Sequence, residues 1–367
     1  MKVLILHADF GEPGGVGSYY RKLRNKFTMP VDHHIVGRRG NRGGLLTEEG
    51  MISQARRVIR DYAQFVLKLK KGQFEMVHVN PSLDYKSFLR DGIFVLLARM
   101  HRKKTVVFFR GWQKSFEYSL SRAGLWLFRF LYGGTNAFIV LSEENRKRLE
   151  AWGCAQPIYR EVTVVDDDVL RGFDIHKTIS ERQKSGKWRV LFLSRVRKDK
   201  GIYETIEAAW LLHSKYPKIE LIIAGNGPEL QSVQSFVQDR GISNVVFAGY
   251  VKGEEKNRLL KSAHVLCLPT YHDEGLPNTI LESMAFGLPI ITRPMGGIAD
   301  FFENGGHGFI SSSKDPLVFA DFIQKLFVDK GLYRKISLNN YRYAQSHFLA
   351  CQAALRLEKI YKSVMNP

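Results

Sequence analysis

Two stretches far apart in the chain begin alike. Residues 2–6 read KVLIL and residues 189–193 read RVLFL. Each is a short apolar run behind a basic residue, the pattern of a strand buried on both faces of a parallel sheet. Each runs through a glycine-bearing loop into a helical pattern. The first continues GGVGSYYRKLRNKF and the second SRVRKDKGIYETIEAAWLLHSKY. Further apolar runs follow in each half: FEMVHV, TVVFF, AFIVL and TVVD, then IELIIAG, VVFAG, VLCLP and PIITR. Helical patterns such as FLRDGIFVLLARM and RLEAWG separate them. Strands alternating with helices make βαβ units, so the fold class is α/β with parallel sheets. A chain of 367 residues is long for one core and suits two domains. Ligands of such sheets bind beyond the carboxyl ends of the strands. Two doubly wound domains facing a cleft are therefore expected.

We place the first domain at residues 1–168 and the second at 169–344, with the tail 345–367 returning as a helix to pack on the first. The segment from about Asp166 to Lys187 is polar and weakly periodic and reads as the connection. Asp166, Asp167 and Asp168 stand together there, either as metal ligands or as a solvated linker; we take the linker reading and expect no metal. Cys154, Cys267 and Cys351 form no CxxC pair, which suits a reducing cytoplasm. No apolar run is long enough for a membrane span, and MKVLILHADFGEPGG reads as a first strand, not a signal peptide.

The formal net charge is +19, and it is uneven. Residues 1–165 hold 28 Lys/Arg against 14 Asp/Glu, and residues 166–367 hold 27 against 22. A field of that sign draws polyanions: nucleic acid, anionic lipid or phosphorylated substrates. No nucleic-acid-binding motif accompanies it.

Glycine turns recur at the predicted strand ends. In EPGGVGSYY, Gly14 and Gly15 would let backbone approach a phosphate ahead of a helix N-terminus, or simply make a tight turn. Arg195 and Lys200, in LSRVRKDKG, are two cations suited to a diphosphate, or members of a basic loop. In AGNGPELQ, Gly225 and Gly227 end a strand, as a nucleotide contact or a plain joint. Tyr250 and Val251, ending the next strand, are placed to touch a base. PMGGIADFF repeats the pattern at Gly296 and Gly297.

The densest stretch is HDEGLPNTILESMAFGLPII, residues 272–291. Pro277 suits the first turn of a helix that Gly287 closes. Glu274 precedes that helix and Glu282 lies one turn inside it. Between them is a helix N-terminus with unpaired N–H groups and a positive dipole end. The two carboxylates either flank a phosphate and grip sugar hydroxyls, or are ordinary surface charges.

In this order SRVRKDKG, AGNGP, EGLPNTILESMAFGLPII and PMGGIAD resemble the retaining glycosyltransferases of family 4, the group 1 enzymes of GT-B fold, over nearly the whole chain. The resemblance implies two Rossmann-like domains and a nucleotide-diphosphate sugar such as a UDP- or GDP-sugar as donor. It implies metal-independent transfer with retention, without a bound cofactor. Carried over, Glu274 binds donor-sugar hydroxyls, Glu282 binds the ribose, and Arg195 and Lys200 hold the diphosphate. Gly275, Leu276, Pro277 and Asn278 complete the donor site through their backbone, and Gly14 and Gly15 face it. The chain departs from the family pattern at Arg110, where many members have histidine, and at Ser194, where many have glycine. His78, in VHVN, is either an acceptor-side residue or a structural histidine.

The acceptor is expected on the first domain, as a saccharide or a lipid-linked saccharide of bacterial surface polysaccharide or lipopolysaccharide assembly. FVLKLKK (65–71), ARMHRKK (98–104) and LSRAGLWLFRFLYGG (120–134) mix bases with apolar residues. The last combines Trp126, Phe128, Phe130 and Tyr132 with Arg122 and Arg129. Such tracts suit an anionic membrane surface, or buried helices with snorkelling arginines. We expect a cytoplasmic protein, peripheral on the inner face of the plasma membrane, that does not bind nucleic acid. Rival readings are another GT-B enzyme, an epimerase or phosphorylase, and a basic nucleic-acid binder.

Overall fold

In a computed structural model, residues 1–11, 15–37, 50–272 and 275–366 are described. The chain divides into two units, Met1–Val164 with Ala350–Pro367, and Val165–Leu349.

The first unit runs β1 (Val3–His7), α1 (Gly15–Leu23), β2 (Val31–Ile35), α2 (Met51–Lys71), β3 (Met76–Val79), β4 (Ser82–Leu83), α3 (Tyr85–Met100), β5 (Lys104–Phe108), β6 (Gly111–Trp112), α4 (Lys114–Ser119), α5 (Arg122–Tyr132), β7 (Ala137–Val140), α6 (Glu143–Ala151) and β8 (Ile158–Arg160). The second runs α7 (Ile175–Lys184), β9 (Trp188–Leu193), α8 (Ile202–His213), β10 (Ile219–Ala224), α9 (Leu230–Asp239), β11 (Val245–Gly249), α10 (Gly253–Ser262), β12 (Val265–Leu268), α11 (Asn278–Ala285), β13 (Ile290–Thr292), β14 (Gly308–Ile310), α12 (Pro316–Val328) and α13 (Lys330–His347). The final helix, α14 (Ala350–Met365), belongs to the first unit.

Among the described residues each unit holds one six-stranded parallel sheet, ordered β2-β1-β3-β5-β7-β8 and β11-β10-β9-β12-β13-β14. Strand order reverses between β1 and β3 in the first and between β9 and β12 in the second, the places where open α/β sheets bind ligands. The architecture is two Rossmann-like α/β domains.

Alternation along the strands builds two cores in the first unit. Leu4, Leu6, Val77, Val79, Val107 and Phe109 meet α2, α3 and α5 on one face. Val3, Ile5, Met76, Val106 and Phe108 meet α1 and α14 on the other. Helix starts follow capping chemistry. Asp84 accepts from the N–H of Lys86 and Ser87, and Asp174 from those of His176 and Lys177, satisfying amides that a helix cannot pair internally.

One expected strand is absent. TVVD crosses from one unit to the other. Of it, only Val165 pairs, bridging to Leu349, with its N–H 2.8 Å from the Phe348 carbonyl. The two chain crossings satisfy each other's backbone instead of joining a sheet. The aspartates beside them cap and pair: Asp166 accepts from the Asp168 N–H, and Asp168 meets the Arg171 guanidinium.

Candidate active site

The glycine turns of the second unit interlock. Past β9, Ser194 N–H donates to Ala224 O (3.2 Å) and Val196 N–H to Asn226 O (3.0 Å), while Gly225 N–H donates to Gly249 O (2.7 Å). A Cβ on Gly225 would stand 1.9 Å from Ser194 O, and one on Gly227 2.2 Å from Val196 O. Gly225 also has φ +152°, which a side chain disfavours. These two glycines are therefore needed so that the β10 turn can seat against the β9 turn. Between those bonds Arg195 stands exposed.

The β9 turn is held from its other side by Asp199. Its Oδ1 and Oδ2 accept from Arg197 Nε (2.9 Å) and Nη2 (2.6 Å), and Oδ2 lies 2.7 Å from His272 Nδ1. Its backbone carbonyl accepts from Tyr271 N–H at 2.9 Å. Burial pushes the Asp199 carboxyl up, but the bonds from Arg197 and His272 outweigh it and leave it below its usual range. Gly201, at φ +76°, passes so near Pro269 O that a Cβ would stand 2.5 Å away. Lys200 is held between these contacts and is buried.

The β12 and β13 turns join next. Gly275 O accepts from Gly297 N–H at 2.5 Å. Leu276 and Pro277 are buried, Pro277 caps α11 at φ −65°, and Asn278 begins the helix exposed. Gly287 follows α11 at φ +69° with its N–H on Met284 O (2.9 Å). Glu282 is partly buried, and both its oxygens accept from Lys256 Nζ of α10, at 2.9 and 2.8 Å. Tyr250 is exposed and Val251 buried. Asp273 and Glu274 lie outside the described residues, so the first glutamate of the pair has no geometry here. The turns after β9, β10, β12 and β13 thus form one bonded rim at the carboxyl edge of one sheet. It carries Arg195, Lys200 and the N-terminus of α11.

In the first unit Gly14 lies outside the described residues. Gly15 opens α1, and a Cβ there would have nothing within 4 Å, whereas a Cβ on Gly17 would meet Asp9 O at 2.4 Å. Gly17 is the glycine that packing demands. Arg110 lies at the end of β5, its guanidinium 4.0 Å from the Tyr19 ring and 4.6 Å from that of Phe108. Its Nε and Nη1 are buried without a hydrogen-bond acceptor among the described residues, so aromatic faces carry its charge.

Of the two readings of His78, the structure favours the structural one. It is wholly buried, its Nδ1 2.6 Å from Tyr361 Oη and its Nε2 3.3 Å from Tyr20 Oη. Tyr20 Oη donates to Asn80 Oδ1, so Nε2 of His78 carries the proton and Nδ1 accepts from Tyr361. Burial pulls its pKa down to about 3, and it ties α14 to the sheet.

A cavity of about 310 Å³ opens beside the ends of β1, β2 and β3, lined by His7, Asn80, Arg57, Arg90, Asp91 and Phe94 among others. Arg90 and Asp91 pair at 2.7 and 2.9 Å. His7 Nδ1 lies 2.6 Å from Ala8 O and its Nε2 2.9 Å from His33 Nδ1. Burial lowers the His7 pKa to about 4. Planar polar groups against apolar walls suit a polyhydroxylated ligand. Sequence reasoning missed this wall, and also Lys256, Asp199 and His272; the last two stand inside the quoted motifs but carry no spacing signal of their own. Among the described residues no cluster of three His, Cys, Asp or Glu side chains has metal-site geometry.

Residues 175–343 match the family model described as glycosyl transferases group 1. The matched residues lie within the second unit, Val165–Leu349. The chain is 27% identical over 230 residues to the capsular polysaccharide biosynthesis glycosyltransferase CapM of Staphylococcus aureus, covering 62% of this chain and 58% of CapM. It is 24% identical over 296 residues to the 2-deoxystreptamine N-acetyl-D-glucosaminyltransferase of Niallia circulans, covering 77% and 75%. Against the first of these, the chain spans little more than half of the relative's length. The crystal structure of Anabaena Alr3699/HepE in complex with UDP superposes with a TM-score of 0.73 at 17% identity, over 99% of this chain and 100% of that one. The fold is GT-B.

Proposed function

We propose that this protein is a retaining glycosyltransferase of family 4. It moves a sugar from a nucleotide-diphosphate sugar to a saccharide or lipid-linked saccharide. The observation that carries the reading is the bonded rim of the second unit, which gathers Arg195, Lys200 and the α11 N-terminus at one sheet edge. An anion there meets two cations and unpaired amides, a fixed electrostatic stabiliser for a departing diphosphate. The C1–diphosphate bond breaks as the acceptor oxygen bonds C1, and the acceptor's proton leaves to a diphosphate oxygen. Arg195 and Lys200 supply the charge neutralisation that a divalent ion would otherwise give, so the reaction is metal-independent.

Glu282, with Lys256 behind it, binds the ribose hydroxyls, and Glu274 holds the donor sugar. Leu276, Pro277 and Asn278 present backbone to the phosphates. Gly225 and Gly227 act by seating the Arg195 turn, and Tyr250 lies against the base. The acceptor occupies the cavity of the first unit walled by Arg57, Arg90 and Asp91. The UDP in the HepE complex and the capsular assignment of CapM support a UDP-sugar and a surface-polysaccharide role.

A thermal-shift series with UDP-, GDP- and ADP-sugars tests the donor assignment. One class is expected to raise the melting temperature of the wild type and not of Glu282→Ala; no shift with any of them overturns the reading. Product analysis by NMR separates retention from inversion, and separates transfer from epimerisation or phosphorolysis. Activity that vanishes in excess chelator overturns metal independence.

A further inference from the structure

Helices α2, α3 and α5 cover one face of the first sheet side by side. Tyr62 Oη of α2 donates to Arg90 O of α3 (3.0 Å), and Arg99 of α3 reaches Phe130 O of α5. Gly92 lets α5 come close, since a Cβ there would stand 2.8 Å from Leu131. Their inner sides are core: Phe65, Phe94, Phe128 and Tyr132 are buried. Their outer sides are not uniformly polar, as those of a solvated helix layer would be, but mix apolar and basic side chains. On α5, Trp126 and Phe130 are 67% and 54% exposed and stack with ring centres 5.7 Å apart. On α2, Ile59 and Leu67 share the outer side with Arg56, Arg60 and Lys70. On α3, Leu89, Ile93 and Met100 continue the apolar stripe, and Met100 is 77% exposed. The only acidic residues on the three helices are Asp61 and Asp91, and both are buried.

The geometry points to a docking face for an anionic bilayer surface, built from the outer sides of α2, α3 and α5. The combination selects the occupant. A nucleic acid would use the bases and leave Ile59, Leu67 and Met100 wet. A second copy would bury the apolar side chains but set base against base. Acidic lipid head groups with hydrocarbon beneath them use both. Among the described residues no helix is long and apolar enough to cross a membrane, so these helices lie on the surface. The sequence marks the tracts, and the fold adds their direction, sending Phe128 and Tyr132 inward and Trp126 and Phe130 outward from one short tract. The face stands on the first unit's surface and does not rest on the donor assignment; it gives a lipid-linked acceptor a place to be met.

The test is co-sedimentation of the full chain with phosphatidylcholine vesicles, with and without phosphatidylglycerol, at low and high salt and with no nucleotide present. Binding is expected with phosphatidylglycerol only, and is expected to fall as salt rises. Trp126→Ser with Phe130→Ser should weaken it about tenfold or more, and Arg56→Gln with Arg60→Gln by about fivefold per charge. Both variants should keep the wild-type melting temperature and the donor-induced thermal shift. Ile59→Ser with Leu67→Ser is the second apolar variant, should the first lose its fold. Absence of binding at low salt, or apolar variants that bind like the wild type, overturns the proposal. So does a dimer, seen by sedimentation equilibrium, that the apolar variants dissolve while vesicle binding is nil. Because no donor is present, a failed donor screen and a failed vesicle assay remain separate results.

Discussion

The Lys256 ammonium on α10 grips both oxygens of the Glu282 carboxylate on α11, at 2.9 and 2.8 Å. A bound lysine fixes the plane of that carboxylate, which still has lone pairs to offer a diol. Glu282→Gln should weaken nucleotide binding about ten- to a hundredfold, the span of a lost hydrogen bond to a charged group. Lys256→Met should raise the donor KM several-fold and leave kcat near wild type, because it acts only through Glu282. Calorimetric titration and steady-state kinetics check this pair. A Glu282→Gln protein that binds nucleotide like the wild type would remove Glu282 from the site.

Glycines in the same kind of turn should differ sharply in tolerance. Gly225→Ala places a methyl 1.9 Å from Ser194 O, at a φ that favours glycine, and should cost the second unit at least about 1–3 kcal/mol. It should also lower activity by displacing Arg195. Gly15→Ala meets nothing within 4 Å at a helix start, and should hold or slightly raise stability. Any activity lost in Gly15→Ala is then functional rather than structural. Urea unfolding beside a kinetic assay of both variants separates the two effects.

The interior strands of both sheets are legible in the sequence because their runs are apolar on both faces, as in VLILH and WRVLFL. The strands β2, β8 and β14 are not, each lying at a sheet edge where VDHHI, IYR and GFI are short or polar. TVVD misleads because a β-branched run reads the same at a chain crossing as in a sheet. The rim of the second unit is legible as a series of glycines at strand ends. Its reason is not: Gly225 and Gly227 answer to backbone packing against Ser194 and Val196, which no local pattern encodes. Lys256 is invisible for a related cause, since its partner lies on the next helix but one strand away.

Acid should destabilise the fold through buried neutral histidines. Burial holds His78 at about 3 and His7 and His264 at about 4, against about 6.5 in an unfolded chain. Above pH 6.5 neither state takes the proton, and stability does not depend on these groups. As pH falls below 6.5 the unfolded chain binds protons that the folded one refuses. Stability then drops by up to about 1.4 kcal/mol per pH unit for each histidine, down to its folded pKa. His78→Gln keeps hydrogen-bonding groups and cannot titrate in this range. Its melting temperature should therefore fall less steeply between pH 6.5 and 4.5 than that of the wild type. An identical slope would show that His78 already charges in the folded protein.

The last helix should be indispensable to the first unit. Glu358, buried on α14, accepts from Thr28 N–H (2.5 Å), Thr28 Oγ1 (2.7 Å) and Met29 N–H (3.2 Å). Arg356 pairs with buried Glu161 at 2.7 and 2.9 Å. Leu357, Ile360, Tyr361 and Val364 close the core over Val3, Ile5 and Val106. Glu358→Ala strands those donors and should cost about 1–3 kcal/mol. Truncation after Leu349 uncovers the part of that sheet face that α14 covers beside α1, and should unfold the first unit. The second unit has its own sheet and contributes none of these contacts, so limited proteolysis of the truncated chain should leave a resistant fragment beginning near Val165. If instead the first unit resists digestion without α14, the tail is an appendage, and the bonds of Glu358 and Arg356 contribute little to holding the fold.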